Sequence, residues 1–152
     1  MAKRRIETMP DSKYNDYLIG KLVNNVMLAG KKNVAERVVY KAIESIAEEK
    51  KESPADVFLE IVDNVCPKVM IKATRIGGAT YQVPTEVSVE KGRSIAIKWI
   101  VNAARKRSEK RMAQRLEEEM RSSMKKEGNA YNKKVEALKM AEANKAFAQF
   151  SW

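Results

Sequence analysis

Apolar side chains recur at helical spacing along most of this chain. Leu18, Ile19, Leu22, Val23, Val26 and Met27 share one face of a 3.6-residue repeat, which predicts a first helix over 16–28 with Gly30 as its stop. Asn33-Val34-Ala35-Glu36 offers a cap with Glu three residues on, and Ala35, Val38, Val39, Ala42, Ile43 and Ile46 form a second stripe. Ser53-Pro54-Ala55-Asp56 is a stronger helix start: Ser at the cap, Pro in the first turn, and an acid near the positive end of the dipole. Val57, Phe58, Ile61, Val62 and Val65 follow, and Pro67 ends this third helix.

Between 68 and 90 the period changes. Val69-Met70-Ile71-Lys72-Ala73-Thr74-Arg75-Ile76 is β-rich, Gly77-Gly78 is a turn pair, and Tyr81, Val83, Val87 and Val89 then share one face. The pattern predicts a β-hairpin at about 69–89. Pro84 cannot donate to a ladder, which implies an open edge or a bulge. Two strands alone are marginal in water, so the ribbon must lean on helices or on a partner.

Helical spacing returns over 92–107, with Ile95, Ile97, Trp99, Ile100, Ala103 and Ala104 as the apolar face. Met112, Leu116, Met120 and Met124 predict a fifth helix over about 108–125, broken by Gly128-Asn129. Val135, Leu138, Ala141 and Phe147 predict a sixth over about 130–147. Glu117-Glu118-Glu119 reads as a solvated helix face. The fold class is therefore mainly α: a bundle of about six helices with one protruding β-hairpin ribbon between the third and fourth. With 152 residues, one helical domain (13–152) follows a basic, flexible arm (1–12) that orders on its partner.

Charge changes the picture from a fold to a function. The net charge is +10, and it is concentrated: residues 68–115 hold 12 basic and 3 acidic side chains, whereas 6–67 are net acidic. A folded basic face plus a basic arm is the footprint of a phosphate binder. A membrane partner would want a basic amphipathic helix or a lipidation signal, and neither is evident. No apolar run is long enough to span a bilayer, and the N-terminus lacks the apolar stretch of a signal peptide, so a cytoplasmic location, or the equivalent compartment of an organelle, is expected.

Residue types argue against an enzyme. There is no His to serve as acid, base or metal ligand, and the lone Cys66 has no partner for a disulfide or zinc knuckle, so no cofactor or metal is expected. Gly77-Gly78 lacks the context of a phosphate loop. The methionines and Trp99 read as core. Arg105-Lys106-Arg107 with Lys110-Arg111 is the sharpest cation cluster, near a junction between helices, and suits phosphate. Lys72, Arg75, Tyr81, Gln82 and Arg93 lie on or beside the ribbon, which could enter a groove or touch unpaired bases. Phe147, Phe150 and Trp152 need a surface to bury against, either RNA or a neighbouring protein. A rival class is a DNA-architectural or mRNA-binding regulatory protein. Architectural binders usually dimerise and prefer duplex DNA.

Several runs together resemble a known family: Tyr14-Asn15-Asp16, Gly30-Lys31-Lys32, Ala35-Glu36-Arg37-Val38-Val39-Tyr40, Arg75-Ile76-Gly77-Gly78-Ala79-Thr80-Tyr81-Gln82-Val83-Pro84, Arg93-Ser94-Ile95-Ala96-Ile97-Lys98-Trp99, Ala103-Ala104-Arg105-Lys106-Arg107-Ser108, and Met140-Ala141-Glu142-Ala143-Asn144-Lys145-Ala146-Phe147-Ala148. The chain resembles the bacterial-type seventh protein of the small ribosomal subunit over nearly its whole length. The resemblance implies six helices with a ribbon, and a structural ribosomal constituent rather than an enzyme. It implies a primary binder of the 3′ major domain of small-subunit rRNA that nucleates head assembly near exit-site tRNA and mRNA. Neighbouring head proteins and the eleventh small-subunit protein are the implied protein partners, with a monomer when free. Carried onto this chain, Lys3, Arg4, Arg5, Lys31, Lys32, Lys72, Arg75, Arg93, Lys98, Arg105, Lys106, Arg107, Lys110 and Arg111 should hold rRNA. Gly77, Gly78, Tyr81, Asn144 and Lys145 should face tRNA and mRNA.

Overall fold

A computed structural model describes residues 9–150, so the arm cations Lys3, Arg4 and Arg5 and the terminal Trp152 lie outside the described residues. The described chain runs α1 (Tyr17–Val26), α2 (Lys32–Lys50), α3 (Pro54–Val65), β1 (Val69–Ile76), β2 (Ala79–Glu86), α4 (Val89–Arg105), α5 (Met112–Met124) and α6 (Gly128–Ala143), closed by a 3-10 helix (Lys145–Phe150). It is mostly helical, with one antiparallel hairpin between α3 and α4.

The apolar stripes become one core. Ile19, Leu22, Ile43, Ile46, Phe58, Ile61, Ile97, Ile100, Leu116 and Met120 are buried together from α1 through α5. Each large apolar side chain withdrawn from water stabilises by about 1.5–3 kcal/mol, so the core is the main favourable contribution to this fold. Trp99 is half-buried and packs against it.

Helix ends differ from expectation where side-chain chemistry intervened. Asp16 caps α1, accepting from the Ile19 N–H at 3.0 Å. Asn33 is not the cap of α2. That helix starts two residues earlier at Lys32, with Lys31 at the cap position, because Ala29 and Gly30 take left-handed φ values (53° and 71°) and turn the chain before Asn33 is reached. Ser53 occupies the α3 cap position without a side-chain bond, leaving Pro54 and Asp56 to favour the start. Ser88 Oγ accepts from the Lys91 N–H, which pulls Val89 out of the ribbon and into α4, where it is 62% exposed. α5 begins at Met112 rather than 108, because 106–111 folds into a turn tethered through Arg107. Gly128 does not break the chain after α5 but opens α6, with φ +89°.

α6 buries Ala130, Ala137 and Ala141. Small residues on that edge seat the helix close to its neighbours. Leu138, expected in the stripe, lies outside it and is 56% exposed. α6 stops at Ala143, and the chain tightens into the 3-10 helix, so no single helix reaches Phe147.

The ribbon pairs Val69 with Glu86 through to Ile76 with Ala79. Gly77 and Gly78 both have positive φ (57° and 84°), as a two-residue hairpin turn of this hand requires. At the base, Val87 N–H donates to the Lys68 carbonyl at 2.9 Å. Gly92 of α4 presses on the same base: a Cβ there would lie 2.7 Å from Cys66 Sγ and 2.8 Å from the Pro67 carbonyl. With α6 against β1 and the 3-10 helix against β2, that contact seats the ribbon on the bundle.

Candidate nucleic-acid interface

The cations divide into paired and unpaired groups. Away from α4, some basic side chains find carboxylates: Lys13 with Glu44, Lys50 with Glu60, and Arg121 with Glu49, Glu117 and Glu118, whereas exposed lysines such as Lys41, Lys125 and Lys133 make no ion pair among the described residues. From Lys91 to Ser108 the chain carries Lys91, Arg93, Lys98, Arg105, Lys106 and Arg107 without one Asp or Glu. Only Arg93 and Arg107 gain a carboxylate from elsewhere among the described residues.

Helix geometry organises this stretch. Lys91, Lys98 and Arg105 are seven residues apart and exposed, so they line one side of α4 with a rise of roughly 10 Å between them. Asn102 is exposed one turn from Lys98. The opposite side of α4 buries Ala96, Ile97, Ile100, Val101 and Ala104, which fixes which way the cations point. Lys21 of α1 donates to Ser94 Oγ at 3.0 Å, and Arg105 donates to the Asn25 carbonyl at 2.9 Å. These bonds hold α1 beside α4, so the exposed Lys31 and the basic turn at 106–111 follow helix ends that touch. Lys32 leans toward Glu36 at 4.0 Å. Lys91 was missed by the sequence reading, although its seven-residue spacing to Lys98 and Arg105 was available.

Within the turn the cations play two parts. Lys106, Lys110 and Arg111 are exposed and make no ion pair among the described residues. Arg107 points inward, donating to Glu109 at 2.9–3.1 Å and to Glu119 at 3.1 Å. Hydrogen bonds to those carboxylates hold its proton more tightly than usual. Glu119 itself is fully buried, which corrects the reading of Glu117-Glu118-Glu119 as a solvated face. Arg93 is also engaged, with Asp63 at 3.0 and 3.4 Å, tying α4 to α3.

The ribbon has two dissimilar faces. Directly opposed residues share a face, so Ala73, Arg75, Thr80 and Gln82 lie together on one side, all exposed. Lys72 and Tyr81 lie on the other, with the buried Val83. The Tyr81 ring sits 5.2 Å from Phe147 and 5.3 Å from Phe150, centroid to centroid. These aromatics, expected to seek RNA or a neighbouring protein, pack on this chain's own ribbon. Gly77 and Gly78 stand at an exposed tip with nothing within 4 Å of a would-be Cβ. Asn144 turns its side chain back to the Met140 carbonyl at 2.8 Å, while Lys145 is exposed.

Other chemistry is sparse. No group of three His, Cys, Asp or Glu among the described residues is placed to hold a metal. No helix among them is long and apolar enough to cross a membrane. Burial raises the Cys66 thiol above its usual pKa, which leaves less of the nucleophilic thiolate.

The chain matches the family described as ribosomal protein S7p/S5e over residues 1–145. It is 45% identical over 151 residues to the small ribosomal subunit protein uS7 of Rhodobacter capsulatus, covering 99% of this chain and 97% of that one. It is 44% identical to the uS7 protein of Ruegeria pomeroyi over the same shares. With the uS7 protein of Pelagibacter ubique the identity is 46% over 143 residues, 94% of this chain and 92% of the other.

Proposed function

The chain belongs to the ribosomal protein S7p/S5e family, a structural and non-enzymatic constituent of the small ribosomal subunit, and on that premise we propose how it engages its RNA. A protein of this family binds rRNA and ribosomal proteins, and in bacteria it resides in the cytoplasm within the ribosome. The finer reading is that it is a primary binder of the 3′ major domain of small-subunit rRNA and nucleates folding of the subunit head. The observation that supports RNA contact is the carboxylate-free run from Lys91 to Ser108, whose outward cations make no ion pair among the described residues.

Several rRNA strands meeting at a junction repel one another. A rigid row at Lys91, Lys98 and Arg105, extended by Lys106, Lys110 and Arg111, lets them approach and releases condensed counterions. Arginine can grip a phosphate through two N–H groups and lysine acts as a point charge. Asn102, exposed within that row, suits a ribose 2′-hydroxyl, the group that marks RNA. Lys31 and Lys32 extend the same end of the bundle. Arg93 and Arg107 shape the surface more than they contact RNA, because their guanidinium groups are already engaged.

The ribbon also serves a different ligand. Its Gly77-Gly78 tip reaches toward exit-site tRNA and upstream mRNA, while Lys72 and Arg75 on the two faces of the ribbon hold rRNA. Tyr81 works there as the ribbon's anchor to the C-terminal segment. The end of α6 with Lys145 faces the platform and the eleventh small-subunit protein. Hydroxyl-radical footprinting of intact small-subunit rRNA with the purified protein tests the main reading. Protections clustered in the 3′ major domain are expected, and protections confined to another domain overturn it.

A further inference from the structure

Glu119 is a fully buried carboxylate that no RNA contact explains. One oxygen accepts from Arg107 Nη1 at 3.1 Å; the other accepts from the Ala130 N–H at 2.9 Å, in the first turn of α6. Gly128 rests on it, with a would-be Cβ only 3.1 Å from Glu119 Oε1. A carboxylate at a helix N-terminus is favoured by the unpaired amides there. The other end of the link is the basic turn. Arg107 also grips Glu109 through two of its nitrogens, and Arg115 donates to the Glu109 carbonyl. The turn 106–111 is thus staked from inside by α5 and α6, while Lys106, Lys110 and Arg111 stay exposed.

We propose that Glu119, acting through Arg107, is a positioning residue for RNA binding: a buried strut that presets the turn between α4 and α5 so that its outward cations meet phosphates without first being ordered. This rests on the reading that the turn touches rRNA. A preset turn loses less conformational freedom on binding, which is where affinity is gained. The strut also ties the turn to α6, the helix that packs against the ribbon and leads to the 3-10 helix beneath Tyr81.

The sign of the effect makes the test sharp. Removing a negative charge from the protein should, by charge alone, tighten binding to a polyanion. The strut requires the opposite. Glu119→Gln, which keeps the shape, should weaken binding to a 3′ major-domain rRNA fragment by about tenfold and flatten its salt dependence by the equivalent of roughly one phosphate, with an unchanged circular-dichroism spectrum. Amide exchange over 106–111 should speed up in the free protein. Glu109→Gln, at a partly exposed site, gives the same signs to a smaller degree and carries the test if Glu119→Gln does not fold. Folded variants with unchanged or tighter binding overturn the strut. A variant with Lys106, Lys110 and Arg111 all changed to Ala separates the two failures. If it too binds normally, the turn does not touch rRNA and the underlying reading falls. If it binds weakly while the Gln variants bind normally, only the strut falls.

Discussion

Removing Lys106, Lys110 and Arg111 together is the most quantitative perturbation the surface allows. All three are exposed and make no ion pair among the described residues, so their change to Ala should alter stability by no more than about 0.5 kcal/mol. Six outward cations form the α4 row and the turn after it: Lys91, Lys98, Arg105, Lys106, Lys110 and Arg111. If each meets one phosphate in a structured RNA, the log–log slope of affinity against salt is about −5, and affinity falls roughly a thousandfold between about 50 and 200 mM salt. With three cations left, the slope drops to about −2.7 and the same salt change costs only about fortyfold. Fluorescence anisotropy with a labelled 3′ major-domain fragment, repeated across that range, reads the slope directly. A matched control changes Lys41, Lys125 and Lys133 to Ala, removing the same charge from α2, the end of α5 and α6. The control should keep the wild-type slope. Equal flattening in both variants would refute localised contact and leave only a net-charge effect.

Other outcomes follow from packing and titration. Gly92→Ala should lower stability by about 1–3 kcal/mol, read as a fall in Tm, because its Cβ has no room against Cys66 Sγ and the Pro67 carbonyl; an unchanged Tm would mean the ribbon base yields freely. Tyr81→Ala should cost about 1–3 kcal/mol through its two ring contacts and speed amide exchange over 145–150, whereas unchanged exchange would mean the rings do not hold that segment. Asp11 is buried, which raises its pKa, but donors from Tyr14, Asp16, Tyr40 and Lys13 outweigh burial and hold it below the usual 3.8. Its folded-state pKa is therefore depressed: the stability it gives is present above about pH 4 and is lost as pH falls through the folded value. Urea unfolding should show Asp11→Asn destabilised at neutral pH and converging on wild type in acid; a constant gap would contradict this.

What could be read from the sequence tracks how local the cause is. The stripes at Ile19-Leu22-Val23 and Phe58-Ile61-Val62 are set by periodicity within one element, and they are core in the structure. Gly77-Gly78 needs only a local backbone rule, and the hairpin turns there. Errors arose where a left-handed residue carries no mark in the sequence, as at Ala29 beside Gly30 ahead of Asn33, or where a distant residue decided the matter. Arg107 belongs by sequence to a run of surface cations, yet two carboxylates, one from α5, draw it inward. Glu119 is disguised by its acidic neighbours. It still sits three residues from Leu116, next to Met120 and four before Ser123, all buried, so the helical repeat held the signal. Tyr81 is the same kind of case, because its ring partners lie more than sixty residues away.

The most direct test of the central claim compares three ligands in one salt titration of the purified full chain. These are a 3′ major-domain rRNA junction fragment, single-stranded RNA of matched length, and duplex DNA. A large preference for the rRNA fragment that survives physiological salt is expected. Equal affinities that all collapse as salt rises would contradict it and reduce the basic face to a generic polycation. Tight binding to duplex DNA alone would favour the architectural alternative.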